Sequence, residues 1–303
     1  MRKTIILILL LLGPFLAAYA EESGNTATVV RDDDFVNSIL QKTSRPKLGS
    51  AIAVIYDEQA QRPLYAKNAD TVVPIASITK LMTAMVILDA GLPLDEPISI
   101  EAEDRDHVKG TRSRMRNGMM LTRGELLKLA LMASENRAAA ALARTYPGGT
   151  QVVLAMMNAK ARELGMDSTR FLDPTGLHSE NVSTAHDLVK MVMAAQGYEL
   201  IHQYTTSTSH VVNVDGRRTM RFVNTNPLVR NSSWDIGLSK TGYISEAGRC
   251  LVMQANILQR PVILVLLDSW GKRTRVGDAV RIKNWMESAA SRNVRTVSQR
   301  DSY

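Results

Sequence analysis

Apolar runs near both ends of the chain have the pattern of β-strands, because they are short, rich in β-branched residues and bounded by turn residues. The first run, Ser50–Tyr56, is followed by a turn and a second short strand near Leu64–Ala66, which predicts a hairpin. Further along, Asp215 and Gly216 separate two more strands, and this dipeptide favours a hairpin turn. The predicted strands of that half are 209–214, 217–222, 237–243, 249–257 and 262–267.

The segments between these strands predict helices, because their apolar residues recur with helical spacing. The pattern Thr122-x-x-Glu125 is a capping box, and Pro147–Gly149 stops an alanine-rich segment. The predicted helices are 78–89, 122–132, 136–145, 150–164, 184–195 and 273–287. Strands at both ends can pair in one sheet that the helices cover. The sequence therefore predicts an α+β fold in which a single antiparallel sheet is flanked by helices.

The N-terminus has the features of a secretory signal. Arg2 and Lys3 precede a short apolar run, Ile5–Leu12, and Ala18–Ala20 has the A-x-A form of a cleavage site. A retained anchor is the alternative, but this run is short for a bilayer span. We therefore expect an exported protein without a stable membrane anchor after cleavage behind Ala20. The expected segments are a signal at 1–20, a polar leader at 21–45, one globular domain at 46–288 and a polar tail at 289–303.

Charge and composition exclude some partners. The net charge of +7 falls by two, to +5, when the two cations of the signal are removed, and a modest positive excess suits an anionic polymer. Aromatic content is only 5% and no nucleic-acid-binding motif occurs, so nucleic acid is not expected. The basic segment 105–116 is either a rim that attracts an acidic substrate or a solvated loop. The histidines lack metal-ligand spacing and the single cysteine, Cys250, reads as a buried hydrophobe, so we expect neither a metal nor a cofactor.

The pattern Ser-x-x-Lys occurs three times, and one copy stands out. Ser44–Lys47 contains a proline that disfavours helix, and Ser269–Lys272 contains a glycine after a strand-like run. Only Ser77–Lys80 opens a long helix, where the i, i+3 spacing places Ser77 and Lys80 on one face. An ordinary helix-capping serine is the alternative for Ser77.

Two further motifs follow in order. Ser134–Asn136 (Ser-Glu-Asn) lies between two helical segments, whereas a second copy, Ser179–Asn181, lies in a turn-rich stretch and reads as a loop. Lys240–Gly242 (Lys-Thr-Gly) lies within a predicted strand. Together the three motifs supply a nucleophile, an amine base, polar positioning groups and a strand edge, which are the parts needed for acyl transfer through a serine ester.

This ordered set resembles the penicillin-binding proteins and serine β-lactamases. Longer stretches are most similar to the low-molecular-mass D-alanyl-D-alanine endopeptidase branch, the penicillin-binding protein 7 type. These stretches are Pro74–Ala84, Ser134–Ala139, Leu164–Met166 and Pro174–Leu177. The resemblance covers about 48–287 and implies a β-lactamase/transpeptidase-like fold, with the globular domain as the penicillin-binding catalytic domain of a periplasmic serine peptidase.

The resemblance also implies roles for the reacting groups. Ser77 would attack the D-alanyl carbonyl, Lys80 would accept its proton in the neutral state, and Ser134 would relay the proton to the leaving amine. Because a lysine base needs a pKa well below its usual value, burial and the nearby cation Lys240 are expected to lower the pKa of Lys80.

The remaining motif residues are expected to bind substrate. Asn136 would hold the peptide group, while Lys240 and Thr241 would receive the carboxylate beside the scissile bond. Gly242 would leave room for substrate to lie along the strand, and the backbone N–H of Tyr243 would complete an oxyanion hole with that of the nucleophile. Ile244 occupies a position where the family often has threonine.

The implied function is hydrolysis of the D-alanyl-diaminopimelate cross-links of peptidoglycan, with β-lactams as covalent inhibitors. D,D-carboxypeptidase activity on terminal D-alanine is the alternative, since the same pocket reads either substrate. A β-lactamase is less favoured because 163–173 contains no E-x-x-x-N pattern. A non-catalytic murein-binding protein is disfavoured by the intact motifs. The tail 291–303 lacks the apolar face of an anchor helix, which favours the endopeptidase branch.

Overall fold

A computed structural model describes residues 44–213 and 218–300, with side chains described up to Ser291. The predicted signal, nearly all of the predicted leader and the hairpin residues Asp215 and Gly216 lie outside these ranges. The strands are β1 (Ser50–Asp57), β2 (Arg62–Lys67), β3 (Val73–Pro74), β4 (Pro97–Ser99), β5 (Met120–Thr122), β6 (Val182–Ser183), β7 (Ser209–Asn213), β8 (Thr219–Val223), β9 (Asp235–Ile244), β10 (Gly248–Ile257) and β11 (Arg260–Ser269). The helices are α1 (Thr79–Asp89), α2 (Arg123–Met132), α3 (Asn136–Arg144), α4 (Gly149–Glu163), α5 (Ala185–Ala195), α6 (Glu199–Thr206) and α7 (Thr274–Arg300).

Five strands form one antiparallel sheet in the order β2-β1-β11-β10-β9. The central strands β10 and β11 are buried along most of their length, as expected for apolar strands covered on both faces. On one face Ala279, Ile282 and Met286 of α7 pack on the sheet, and on the other face the remaining helices build the larger core. The predicted α+β class with an antiparallel sheet flanked by helices is confirmed.

The prediction of a single sheet is wrong. Within the part of the chain that the structure describes, β7 and β8 pair only with each other, and β3 with β6 and β4 with β5 form two more two-stranded sheets. In the β7–β8 hairpin only Val212 and Phe222 are buried, so the hairpin has one narrow apolar contact rather than the two covered faces of a central strand.

Helix boundaries agree with the sequence at several points and differ at two. The capping box of Thr122 and Glu125 is present at the start of α2, with both reciprocal hydrogen bonds. The helix α6 was not predicted; it has only eight residues, of which Ile201 and Thr205 are buried. The last helix was predicted to end at 287, but α7 continues to Arg300.

The helix α1 lies at the centre of the fold. Every residue from Thr79 to Ile87 is buried, including the charged Lys80, and only the C-terminal Asp89 of this helix is exposed. A 3₁₀ turn, Ala76–Ile78, leads into α1 and carries the predicted nucleophile at the end that approaches β9. Among the described residues, no helix combines the length and apolar character that crossing a membrane requires.

Candidate active site

Ser77 lies in a strained turn rather than at a helix cap. The N-cap of α1 is Ile78, which makes no side-chain capping bond, so a capping role does not account for Ser77. The preceding residue, Ala76, has φ of 49°, a left-handed conformation that costs a residue with a Cβ about 1–2 kcal/mol. Gly176 packs directly on this turn, since a Cβ there would lie 2.0 Å from the Ala76 carbonyl oxygen. Tertiary packing therefore holds the turn in its strained form.

The amine of Lys80 is buried and fully hydrogen-bonded. The side chain is 1% exposed. Its Nζ donates to Ser77 Oγ at 2.8 Å, to Asn136 Oδ1 at 2.8 Å and to the Thr175 carbonyl oxygen at 2.6 Å. These three acceptors match the three hydrogens of an ammonium group.

Burial lowers the pKa of Lys80 to about 8, although the nearby carboxylates of Asp173, Glu135 and Asp106 act in the opposite direction. Burial, then the repulsion from Lys80, then Arg275 lower the pKa of Lys240 well below its usual range. Because repulsion between two amines is mutual, each cation disfavours the charged form of the other.

Ser134 and Lys240 form a second serine–lysine pair. Lys240 Nζ donates to Ser134 Oγ at 2.8 Å and to the Thr241 carbonyl oxygen at 2.9 Å, and the lysine is 1% exposed. Ser134 lies between α2 and α3 with φ of 60°, another left-handed residue that is not glycine. Strained residues of this kind cluster at functional sites, where surrounding contacts hold them.

Asn136 connects the buried amine to a surface loop. Its Oδ1 accepts from Lys80, and its Nδ2 donates to Thr111 Oγ1 at 2.9 Å, which leaves one amide hydrogen for another partner. The loop is ordered by the Asp106 carboxylate, which accepts four hydrogen bonds, from the backbone N–H groups of 108, 109 and 111 and from the Thr111 hydroxyl. Lys109 of the same loop forms an ion pair with Glu246, in the turn after β9.

Gly242 is needed for a contact within the protein. A Cβ at this position would lie 2.9 Å from the Ile75 carbonyl oxygen, 3.1 Å from Ala76 Cβ and 3.1 Å from Ser77 N. The sequence interpretation gave this space to substrate, and the structure corrects it: the backbone around Ser77 occupies it. The missing side chain allows β9 to approach the amide of the nucleophile.

Two other residues of β9 differ in exposure: Tyr243 faces solvent and Ile244 is buried. Tyr243 is 55% exposed, and the guanidinium of Arg249 lies 4.4 Å from its ring centroid. Ile244 is buried in the larger core, so its side chain contributes to packing rather than to a polar surface.

Several residues at this site were not predicted. Thr175 supplies the carbonyl that Lys80 contacts, and its turn is fixed by Asp173, which accepts from the backbone N–H of Thr175 at 2.9 Å. Thr241 Oγ1 donates to Thr225 Oγ1 at 2.7 Å, and Thr225 N donates to the Met132 carbonyl oxygen at 3.1 Å. The sequence stretch 174–177 was noted only for its resemblance, and Thr225 has no motif that could have drawn attention to it.

Arg275 lies near Lys240, and Cys250 of the neighbouring strand β10 pairs with Gly242. Arg275 is buried, and its Nε and Nη1 have no hydrogen-bond partner among the described atoms. Cys250 is buried as predicted, and burial raises the pKa of its thiol to about 11, which keeps it uncharged and unreactive. Among the described residues no group of three or more His, Cys, Asp or Glu side chains could hold a metal ion.

The fold and the site together define a class. A serine hydroxyl beside a buried amine, a second serine–lysine pair and an antiparallel strand that approaches the nucleophile are the parts of a serine acyl-transfer enzyme of the β-lactamase/transpeptidase-like fold. The chain belongs to the D-alanyl-D-alanine carboxypeptidase family, whose sequence profile matches residues 39–271.

Known relatives agree with this placement. The chain is 48% identical over 243 residues to a D-alanyl-D-alanine endopeptidase of Pseudomonas aeruginosa, which covers 80% of this chain and 78% of that protein. It is 47% identical to a D-alanyl-D-alanine endopeptidase of Escherichia coli, over 81% of this chain and 79% of that protein. The crystal structure of the Streptomyces K15 DD-transpeptidase superimposes with a TM-score of 0.74 at 28% identity, over 81% of this chain and 100% of that chain.

Proposed function

We propose that this protein is a serine D,D-endopeptidase that hydrolyses D-alanyl-diaminopimelate cross-links of peptidoglycan in the periplasm, through an acyl-enzyme on Ser77. The observation that carries the proposal is the 2.8 Å contact between Lys80 Nζ and Ser77 Oγ inside a buried, fully hydrogen-bonded cluster. Membership of the family and the names of the two closely similar relatives support the substrate class.

The partners of Lys80 determine what its neutral form does. When the ammonium loses a proton, its lone pair needs a hydrogen-bond donor. Asn136 Oδ1 and the Thr175 carbonyl oxygen can only accept, whereas the hydroxyl of Ser77 can donate. Deprotonation therefore turns the lone pair towards the Ser77 hydroxyl, which makes Lys80 the general base for attack.

The proposed reaction proceeds in two stages. Ser77 Oγ bonds to the D-alanyl carbonyl carbon while its proton passes to Lys80 Nζ, and the oxyanion is held by the backbone N–H groups of Ser77 and Tyr243. The C–N bond then breaks, and the leaving amine takes the proton of the Ser134 hydroxyl, which in turn receives the proton that Lys80 took from Ser77. Water subsequently hydrolyses the serine ester and releases the D-alanyl carboxylate.

Substrate binding is assigned to the strand and the cations behind it. Lys240 and Thr241 receive the carboxylate next to the scissile bond, and the buried guanidinium of Arg275 adds positive charge there. The free amide hydrogen of Asn136 is available for the substrate's peptide carbonyl. β-Lactams, which carry an amide and a carboxylate in the same relation, are expected to acylate Ser77.

A D,D-carboxypeptidase is the second candidate function, and the family description favours it. A terminal D-alanine and the D-centre of a cross-linked diaminopimelate both present a carboxylate beside the scissile amide. The carboxylate-binding groups at Lys240 and Thr241 therefore accept either substrate.

The deciding experiment is digestion of purified murein, followed by chromatography of the muropeptides. Loss of cross-linked dimers with a gain of tetrapeptide monomers is the expected result, and a Ser77→Ala variant is the inactive control. Trimming of pentapeptides without loss of dimers would instead identify a carboxypeptidase. If no penicilloyl adduct forms on Ser77 in folded protein, the acyl-enzyme mechanism is wrong.

A further inference from the structure

Trp270 is exposed to a degree that the fold does not explain. It directly follows β11 and is 98% exposed, the highest value for any large hydrophobic side chain among the described residues. A large apolar side chain held fully in water contributes nothing to the core, and exposed aromatic side chains commonly mark binding surfaces.

The sheet register places Trp270 near the strand that approaches Ser77. Ser269, its neighbour, pairs with Arg249 of β10, and Arg249 pairs with Tyr243 of β9. Adjacent strands are about 4.8 Å apart, so the end of β11 lies about 10 Å from Tyr243. Trp270 and the Lys-Thr-Gly motif therefore lie at the same end of the sheet.

A β-bulge sets the direction of the chain at this point. Leu266 pairs with Leu251 and Ser269 with Arg249, so β11 has one residue more than β10 between these pairs. Asp268, in the bulge, has φ of 47°, and a Cβ on the facing Gly248 would lie 2.5 Å from its Oδ1. Bulges bend a strand and redirect the residues that follow, and they are frequent beside active sites.

The surroundings of Trp270 are aromatic and basic. Arg249 stacks on the exposed ring of Tyr243, and Lys272 and Arg273 are exposed immediately after Trp270. The acidic groups nearby include the exposed Asp268 and Glu246, and Glu246 is already paired with Lys109. The buried Asp278 is also nearby and is paired with Arg281. We call Tyr243, Arg249, Trp270, Lys272 and Arg273 the Trp270 platform.

We propose that the Trp270 platform binds the polymeric substrate outside the catalytic cleft, with the indole packed on a sugar ring of the glycan strand and the cations paired with carboxylates of the peptide stems. This inference rests on the proposed function. Sugar rings present an apolar face of C–H groups that suits a flat indole, and an anionic stem complements three cations. An anionic membrane surface would attract similar side chains, but continuity with the strand beside Ser77 favours the polymer.

The test compares Trp270→Ala with Met156→Ala, which removes a 45% exposed side chain from α4. Binding is measured by co-sedimentation with purified sacculi in a Ser77→Ala background, so that the polymer is not digested. We expect Trp270→Ala to weaken binding about tenfold, in the range of an aromatic hot spot, while Trp270→Phe retains most of it and Met156→Ala has no effect.

Activity provides the second arm. With Ser77 present, Trp270→Ala should cleave intact sacculi several-fold more slowly, but should cleave a soluble cross-linked dimer and label with fluorescent penicillin at the wild-type rate. Equal loss on polymer and dimer, or unchanged binding to sacculi, would overturn the proposal. The proposal would also be overturned if Trp270→Ala no longer sedimented with phosphatidylglycerol vesicles but still sedimented with sacculi. If wild-type protein cleaves neither substrate, the proposed function fails, and the binding arm still decides the role of the platform.

Discussion

The pair of Ser77 and Lys80 is the smallest unit on which activity depends. Arginine at position 80 would keep a positive charge, but its guanidinium stays protonated and cannot act as a base. We therefore expect Lys80→Arg to acylate at least about a hundredfold more slowly with fluorescent penicillin, within the usual contribution of a general base. Lys190→Arg, at a half-exposed lysine of α5, is the matched control. A normal labelling rate in folded Lys80→Arg protein would exclude the amine as base.

The pH dependence of acylation follows from the lowered pKa of Lys80. Below about pH 8 the amine is protonated and cannot accept the proton of Ser77, so the acylation rate should rise through this pH. At higher pH the rate should fall again as Lys240, whose pKa is also lowered, loses the charge that binds the carboxylate. The rate of labelling is measured between pH 6 and 10 with an ester whose leaving group stays uncharged over that range. A flat profile over that range would mean that another group takes the proton.

The same shift affects stability. Because the pKa of Lys80 is about 8 in the folded protein and its ordinary value is 10.5, the unfolded chain binds more protons between these values. The contribution of Lys80 to the free energy of unfolding should therefore increase as pH rises from 8 towards 10.5. Denaturant titrations of wild type and Lys80→Met at pH 8 and pH 10 isolate this contribution. Identical pH dependence in the two proteins would contradict the assignment.

Gly242 tests whether β9 must approach the nucleophile closely. Gly242→Ala would place a methyl group 2.9 Å from the Ile75 carbonyl oxygen, which forces the strand or the turn at Ser77 to move. Acylation should fall by more than about tenfold, as expected when reacting groups are displaced by a fraction of an ångström. Gly197→Ala is the control, since its nearest contact is 3.4 Å. Wild-type acylation by Gly242→Ala would show that the contact is dispensable.

The sequence predicted the motif residues but not the contacts that orient them. Short motifs of fixed spacing, read in their order and in their helix or strand context, were enough to choose Ser77, Lys80, Ser134 and Lys240. The carbonyl of Thr175 reaches Lys80 from 95 positions away, and the strain at Ala76 depends on Gly176. Contacts of this kind depend on tertiary packing, which local spacing does not encode.

At the scale of elements, helices with caps and strands with continuous apolar runs were predictable. Thr122 and Glu125 start α2, and β9, β10 and β11 have nearly the predicted bounds. The sequence predicted the hairpin of β7 and β8 but not its separation from the five-stranded sheet. Two half-polar strands can form either a separate hairpin or the edge of a larger sheet. The helix α6 is only eight residues long and the end of α7 is mostly polar, so neither segment contains an apolar pattern long enough to identify as a helix.

The cap of α2 should affect stability more than chemistry. Thr122→Ala removes the side chain that accepts from Glu125 N, which typically costs about 1 kcal/mol of stability. Because Ser134 lies just after the opposite end of α2, acylation below the melting range should stay near wild type. Denaturant unfolding and penicillin labelling measure the two effects, and Thr122→Ser should restore stability. A large loss of labelling without loss of stability would mean that the cap positions Ser134.

At the scale of the molecule, the site is assembled from segments far apart in the chain. The end of α1, the turn between α2 and α3, the loop at Thr175 and the strand β9 each contribute groups, and buried hydrogen bonds join them. The position of β9 beside Ser77 therefore depends on the whole sheet and on the helices that cover it.

The ion pair of Lys109 and Glu246 has a consequence for how a long substrate enters. It links the loop that contacts Asn136 to the turn after β9, and we expect a branched polymer, but not a small β-lactam, to require its opening. Exposed ion pairs are weak and screened by salt, so this ion pair opens readily. Cleavage of sacculi, but not penicillin labelling, should rise modestly, by less than about fivefold, in Lys109→Ala. A selective gain of this kind would identify the ion pair as a gate that distinguishes substrates by their bulk.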